Sequence, residues 1–251
     1  MKHVLLILIT IGLTTYSNTL HAQQFKVFDV PPSHSIEGMF EVDAGGNRSG
    51  LEYDLIKKIA ADNGWKIKWV MLTNVEADPR LGMLKQGWID LTIYSVTITD
   101  ERKKDVDFSV PYFESGTGII VLKDSKITKL KDLSGKRIIA QERFTSYRAV
   151  KEFDNSIKVI SNNDYSVIEE MLDDIVRGKL DGFANDYHYL QALVKKDPRF
   201  RLLKQPVNKE EFGIAIRKGL PNSVQEKINA SINKLKKDGW FKKYAESEST
   251  K

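Results

Sequence analysis

The chain contains no cysteine. That absence excludes a disulfide scaffold, a thiolate metal site, a cysteine nucleophile and a cysteine-linked lipid anchor together. Histidine is scarce, with four in 251 residues, and His34 and His188 share no ligand spacing with a carboxylate pair. Both read as polar residues of the surface or of a cleft rim, and neither a metal nor a cofactor is expected. A strong charge of one sign is also missing. Lys and Arg total 39 against 34 Asp and Glu, a formal +5, which gives no reason to expect nucleic acid as a partner. No low-complexity tract or short repeat occurs, and 41% hydrophobic with 29% charged residues is globular composition.

Long apolar runs are absent except at the start. Met1-Lys2-His3 is a short basic beginning, and Val4 to Leu13 is apolar apart from Thr10 and Gly12. That is the length of a signal h-region, and it is short of the roughly 20 apolar residues a spanning helix needs. Leu20-His21-Ala22 before Gln23 reads as the cleavage site, so residues 1–22 are read as a signal peptide. The alternative is a retained anchor, which so short a run fits less well. An exported protein follows.

Beyond the signal, strand and helix patterns alternate. Lys26 to Val30 predicts a strand, stopped by Pro31-Pro32, and Leu51, Leu55, Ile56, Ile59 and Ala60 share one helix face. Trp65, Ile67, Trp69 and Met71 alternate with Lys66, Lys68 and Val70 as a strand does; a short helix around Leu81 to Lys85 and a strand at Ile89 to Tyr94 follow. The same order returns with a strand at Lys136 to Ala140 and a helix face of Val167, Ile168, Met171, Leu172, Ile175 and Val176. Ile175-x-x-Gly178-x-Leu180-Asp181 repeats the spacing of Leu84-x-x-Gly87-x-Ile89-Asp90. Both copies are a helix, a glycine stop and an apolar-Asp pair entering a strand. Two α/β lobes are therefore expected. The last strand, Phe212 to Ile216, and the helix face Val224, Ile228, Ile232 and Leu235 complete the first lobe after the chain has returned from the second. The lobes so drawn are 23–114 plus 208–251 and 115–207, joined by crossings near Glu114 to Gly116 and Gln205 to Asn208. A cleft between lobes is where a small ligand binds.

The residues that carry chemistry cluster after the third strand. Ser95 and Thr97 bring hydroxyls to its C-terminal edge, Thr99 or Asp100 caps a helix, and Arg102 lies in that helix's first turn. Hydroxyls and a planar guanidinium at a helix start suit a carboxylate; the alternative is that Asp100 to Lys104 is a solvated charge run. Thr92 to Phe113, with Ser95-Val-Thr97-Ile-Thr99-x-x-Arg102 and Phe108-Ser-Val-Pro-Tyr112, resembles the amino-acid solute-binding proteins of ABC transporters. Gly50-Leu-Glu52-Tyr-Asp54-Leu55, Leu130 to Arg137, Gly178 to Asp186 and Gly239-Trp240-Phe241 at the end of the last helix are similar to that family in the same order.

The resemblance implies a two-lobe type II periplasmic-binding-protein fold and a periplasmic monomer. Hinge closure on a small polar solute, an L-amino acid, would serve delivery to a membrane ABC permease. By the same resemblance Arg102 pairs with the ligand α-carboxylate, Thr97 donates its hydroxyl or amide to that end, and Ser95 offers its carbonyl to the α-ammonium. Asp186 faces the ammonium from the second lobe, and Thr145 meets the carboxylate at a helix start. As a lone residue, Asp186 also reads as a helix N-cap. Phe28, Tyr94, Arg143 and Phe144 are further candidates for the pocket, with Phe40 another possible stacking ring. Three departures stand out: Gln141 to Ser146 replaces a small Gly-Thr-Thr loop, Ser33-His34 follows the prolines where an aromatic is usual, and Leu72 to Arg80 lacks a stacking aromatic. The competing function is a dehydratase on the same fold, for which Glu142 is the one candidate acid; a kinase sensor domain would need a C-terminal membrane segment.

Overall fold

The computed structural model describes residues 22–71, 79–161 and 168–248. Of the expected signal peptide, residues 1–22, only Ala22 is among these residues, and residues 72–78 also lie outside them. Among the described residues no helix is long and apolar enough to cross a membrane.

Two five-stranded sheets dominate. The first runs Lys66–Met71, Gln24–Asp29, Leu91–Thr92, Ala215–Ile216, Asp107–Phe108; the second runs Lys158–Ser161, Arg137–Ala140, Gly182–Asp186, Thr117–Leu122, Phe200–Leu202. In each, the first three strands are parallel and the fourth is antiparallel to both its neighbours. The expected strand at Ile89 to Tyr94 is shorter than its apolar pattern, at Leu91–Thr92, because the backbone turns at Ser95.

The repeated Gly-x-apolar-Asp motif has one physical job in both sheets. Asp90 donates its N–H to Lys26 O at 2.7 Å and accepts the Lys26 N–H on its carboxylate at 2.9 Å, while the Lys26 ammonium donates to Gly87 O at 3.0 Å. Asp181 donates to Arg137 O at 2.8 Å and accepts the Arg137 N–H at 2.8 Å, with the guanidinium on Gly178 O at 2.8 Å. Each Asp thus pins the third strand of its sheet beside the second, and the preceding glycine, at φ 72° in both copies, turns the helix into it.

Core packing follows the expected faces. The helix Leu51–Asp62 buries Leu51, Leu55, Ile56, Ile59 and Ala60, and Asn222–Lys237 returns Val224, Ile228, Ile232 and Leu235 to the same core. The second sheet is covered on both faces, by a cluster around Val150 and Ile138 and another around Met171, Ile175 and Leu190. Gly239, at φ 70°, closes the helix Asn222–Lys237, but that helix is not the last, since Trp240–Glu248 follows. The crossings themselves pair as antiparallel strands, Phe113–Ser115 with Glu210–Phe212, slightly beyond the expected Gln205 to Asn208. Beside them Val207 N–H donates to Thr117 O at 2.7 Å and Thr117 N–H to Asn208 Oδ1 at 2.8 Å. Gly116 is required here, since a Cβ would sit 2.2 Å from Asn208 O.

Candidate functional site

Strand ends from both sheets meet the crossings. Ser95 is the one non-glycine with positive φ among the described residues, at 45°. A side chain in that region is strained unless its surroundings hold it. Glu52 does so: its Oε1 accepts the Ser95 N–H at 2.8 Å and hydroxyl at 3.3 Å, and also the Tyr112 hydroxyl at 2.5 Å. Glu52 is fully buried, which pushes its carboxyl up to about 7 against the lowering effect of these bonds and of Arg80. Gly50 makes its placement possible, because at φ 101° its Cβ would come within 2.5 Å of Met39 O.

Thr97 and Arg102 are brought together as expected. The Thr99 hydroxyl caps the helix Asp100–Lys103 by accepting the Arg102 N–H at 3.1 Å, and the Arg102 guanidinium turns back to Thr97 O at 2.8 Å. Thr145 begins the helix Thr145–Phe153, and its hydroxyl oxygen lies 3.5 Å from that of Thr97 across the cleft. Asp186 ends the strand Gly182–Asp186 and stands at the N-cap position of Tyr187–Lys196, but its side chain makes no capping bond. Burial and the Glu210 charge raise its carboxyl to about 7, while Arg80 and Arg102 draw it down; solvent still reaches part of the side chain. Arg102 and Asp186 therefore feel each other from different sheets.

The remaining candidates divide. Tyr94 donates its hydroxyl to His34 O, lies 5.9 Å from Phe28 and 6.0 Å from Phe40, and has the Arg80 guanidinium 5.3 Å from its ring. Phe28 and Phe40 are core residues. Arg143 is exposed, and Phe144 is half-buried at the start of the Thr145 helix. Glu142 is exposed and accepts from Ser161 at 3.3 Å, so it lacks the dry setting that a general acid needs. His34 is on the surface, but His188 is drawn further in than a rim position. Its ring packs edge-on against Phe113 and Phe212, its nitrogens lie 3.3 Å from Ser115 Oγ and 3.5 Å from Ser95 Oγ, and burial lowers it to about 4. A neutral ring there links both sheets and a crossing.

Two buried acids beside the candidate site are not marked out by the sequence. Glu52 reads as a first-turn acid of a helix, and Glu210 as part of the Lys209-Glu210-Glu211 charge run. Glu210 is only 6% exposed and accepts from Thr97, Thr145, Thr117 and Asn208. A cavity of about 930 Å³ opens beside the crossings, reaching Thr97, Thr145, His188 and Glu210; Ser95, Arg102 and Asp186 lie off its lining. Exposed ion pairs join residues of the two halves, Arg148, which lines the cavity, to Glu101 at 2.7 Å and, elsewhere, Lys196 to Glu37 at 2.5 Å. Among the described residues no three His, Asp or Glu are placed to hold a metal ion.

Two α/β lobes, a strand-paired hinge and a polar cleft define a two-lobe binding protein. The bacterial extracellular solute-binding proteins, family 3, match residues 36–247, and the chain belongs to that family. It is 32% identical over 199 residues to the ABC transporter glutamine-binding protein of Bacillus subtilis, covering 79% of this chain and 71% of that one. It is 27% identical over 221 residues to the ABC transporter arginine-binding protein 1 of Escherichia coli, covering 86% and 85%. An ancestral arginine-binding protein bound to arginine superposes with a TM-score of 0.73 at 33% identity, covering 89% of this chain and 97% of the other. These relatives are named as binding proteins, and the chain is a binding protein, not an enzyme.

Proposed function

We propose that the protein captures an L-amino acid between its lobes in the periplasm and delivers it, as a monomer, to the permease of an ABC importer. Residues 1–22 would direct export, and the bodies that move would be 23–114 plus 208–251 against 115–207. Arg102 and the Thr145 helix start would hold the α-carboxylate. Asp186 and the Ser95 carbonyl would hold the α-ammonium. The observation that carries this reading is Asp186: it occupies an N-cap position without capping, and shares the cleft's field with Arg102 of the other lobe. Charges of opposite sign from two lobes suit a zwitterion that joins them.

Native mass spectrometry of freshly purified protein, followed by thermal shifts with the twenty L-amino acids, tests the proposal. The relatives' names put glutamine and arginine first in the panel. A binding amino acid should raise the melting temperature, return unchanged, and shrink the radius of gyration in small-angle scattering. No shift with any of the twenty would overturn the reading.

A further inference from the structure

The Glu210 carboxylate sits where the crossings meet the cleft, and it is the acceptor for four donors. Oε2 takes the Thr97 hydroxyl at 2.7 Å and the Thr145 hydroxyl at 3.1 Å; Oε1 takes the Thr117 hydroxyl at 3.2 Å and the Asn208 amide at 3.1 Å. Thr97 comes from the first sheet's strand end, Thr145 and Thr117 from the second lobe, and Asn208 from the return crossing. An ionised carboxylate offers about four acceptor positions and no donor, so this set matches its capacity.

The consequence lies in the hydroxyl protons. Each threonine hydroxyl has one proton, and Glu210 engages those of Thr97 and Thr145. Both oxygens then face a third group with lone pairs alone. Their separation of 3.5 Å fits two acceptors aimed at a common region rather than a bond between them, and both line the cavity. An anion placed against them meets acceptors; an ammonium or amide N–H finds partners. The Glu210 charge also raises the Asp186 carboxyl, so both acids favour a nearby cation.

We infer that Glu210 is a positioning residue for solute binding: by engaging one threonine hydroxyl from each lobe it turns both oxygens into acceptors and makes the site demand a hydrogen-bond-donating cation at the crossings. The inference rests on the amino-acid reading above and specifies which end of the ligand the hydroxyls meet. It reverses the expectation that the Thr97 hydroxyl donates to the carboxylate, leaving that end to Arg102 and to backbone amides.

The test uses the full mature chain with L-glutamine and L-arginine as probes, each beside its 2-hydroxy analogue, which keeps the carboxylate and side chain but replaces the ammonium with a hydroxyl. In Glu210→Gln an amide nitrogen in the place of Oε2 donates to Thr97 and Thr145, so both hydroxyls turn their protons away from residue 210 and towards the cleft. Affinity for the amino acid should fall about 10- to 100-fold, the loss expected when a charged hydrogen-bond partner is mis-set. The analogue should lose less, so the preference for the amino acid should narrow at least about tenfold, while the melting temperature stays near that of the parent. Thr145→Val, which removes one hydroxyl and leaves Glu210 in place, should narrow the preference as well and serves if the first variant does not fold. A preference unchanged in both variants, with parent binding intact, overturns the inference. A parent that binds no amino acid overturns the amino-acid reading instead, and the two failures are distinct.

Discussion

If Asp186 holds the ligand ammonium as proposed, it makes affinity depend on pH in a direction that can be worked out in advance. Its carboxyl is raised from 3.8 to about 7, first by burial, then by the Glu210 charge. A ligand ammonium beside it stabilises the ionised form, so the complex holds Asp186 well below its free value. Binding therefore releases a proton whenever the pH is below about 7 and releases none above it. A free amino acid stays a zwitterion from pH 5 to 8, so the protein supplies the titration. At pH 5 about 1% of Asp186 is ionised in the free protein, which predicts affinity about 100-fold weaker than at pH 8, or about 2.7 kcal/mol. Titration calorimetry at pH 8, 7, 6 and 5, in buffers of differing ionisation enthalpy, reads both the affinity and the released proton. Two neighbours could confuse the result. His188, lowered to about 4, stays neutral over the range, whereas Glu52 also titrates near 7. Glu52→Gln should keep the pH dependence and Asp186→Asn should abolish it. Affinity that is flat from pH 8 to 5, or a slope that survives Asp186→Asn, refutes the assignment.

Other expectations are simpler to state. Arg102→Ala should weaken binding by about 2–5 kcal/mol, because a desolvated ligand carboxylate loses its partner, while the exposed Lys103→Ala should stay within about twofold by calorimetry. Gly50→Ala should cost about 2 kcal/mol or more and lower the melting temperature by several degrees, since φ 101° and a Cβ at 2.5 Å from Met39 O leave no room for adjustment; an unchanged melt would show that the Met39 turn gives way. Glu52 has a folded pKa above its unfolded one, so its contribution favours folding below about pH 4.5 and is lost as pH rises through about 7. Chemical unfolding of Glu52→Gln beside the parent should show the parent losing more stability over that window, and parallel curves would reject it.

The scaffold was legible because its signals are local. A 3.6-residue face at Leu51 to Ala60, alternation at Lys66–Met71 and the twice-written Gly-x-apolar-Asp turn each report a backbone bond made nearby or within one lobe. The motif Ser95 to Arg102 was legible for the same reason, since the Thr99 cap and the return of Arg102 to Thr97 span only a few residues. What sequence could not show is burial of a charge by distant neighbours. Glu210 looks like its exposed neighbour Glu211, and the two differ because strand alternation on the crossing turns one inwards to threonines 65 to 113 positions away. Glu52 has the helical phase of a polar first-turn residue, yet Ser95 and Tyr112, 43 and 60 positions on, close over it. The surroundings of His188 are distant in sequence for a related reason: Phe113 and Phe212, one from each crossing, pack against its ring.

The energetics of closure explain why the polar interior matters more than the rim. Shifting a two-state hinge from 1:99 to 99:1 takes about 5.5 kcal/mol. The bridging pairs Arg148–Glu101 and Lys196–Glu37 are largely exposed, and surface pairs contribute about 0–1 kcal/mol each, so together they fall well short. On the proposed reading, Asp186 works against closure in proportion to its charge. A rise from 3.8 to about 7 means that holding it ionised between the lobes costs at most about 4 kcal/mol. A cation placed beside it recovers that cost, and an uncharged or anionic solute cannot. On the proposed site, the same acid would oppose the shut geometry with the wrong ligand and favour it with the right one. The coupling between recognition and hinge motion would then come from one electrostatic term rather than from contact area at the rim.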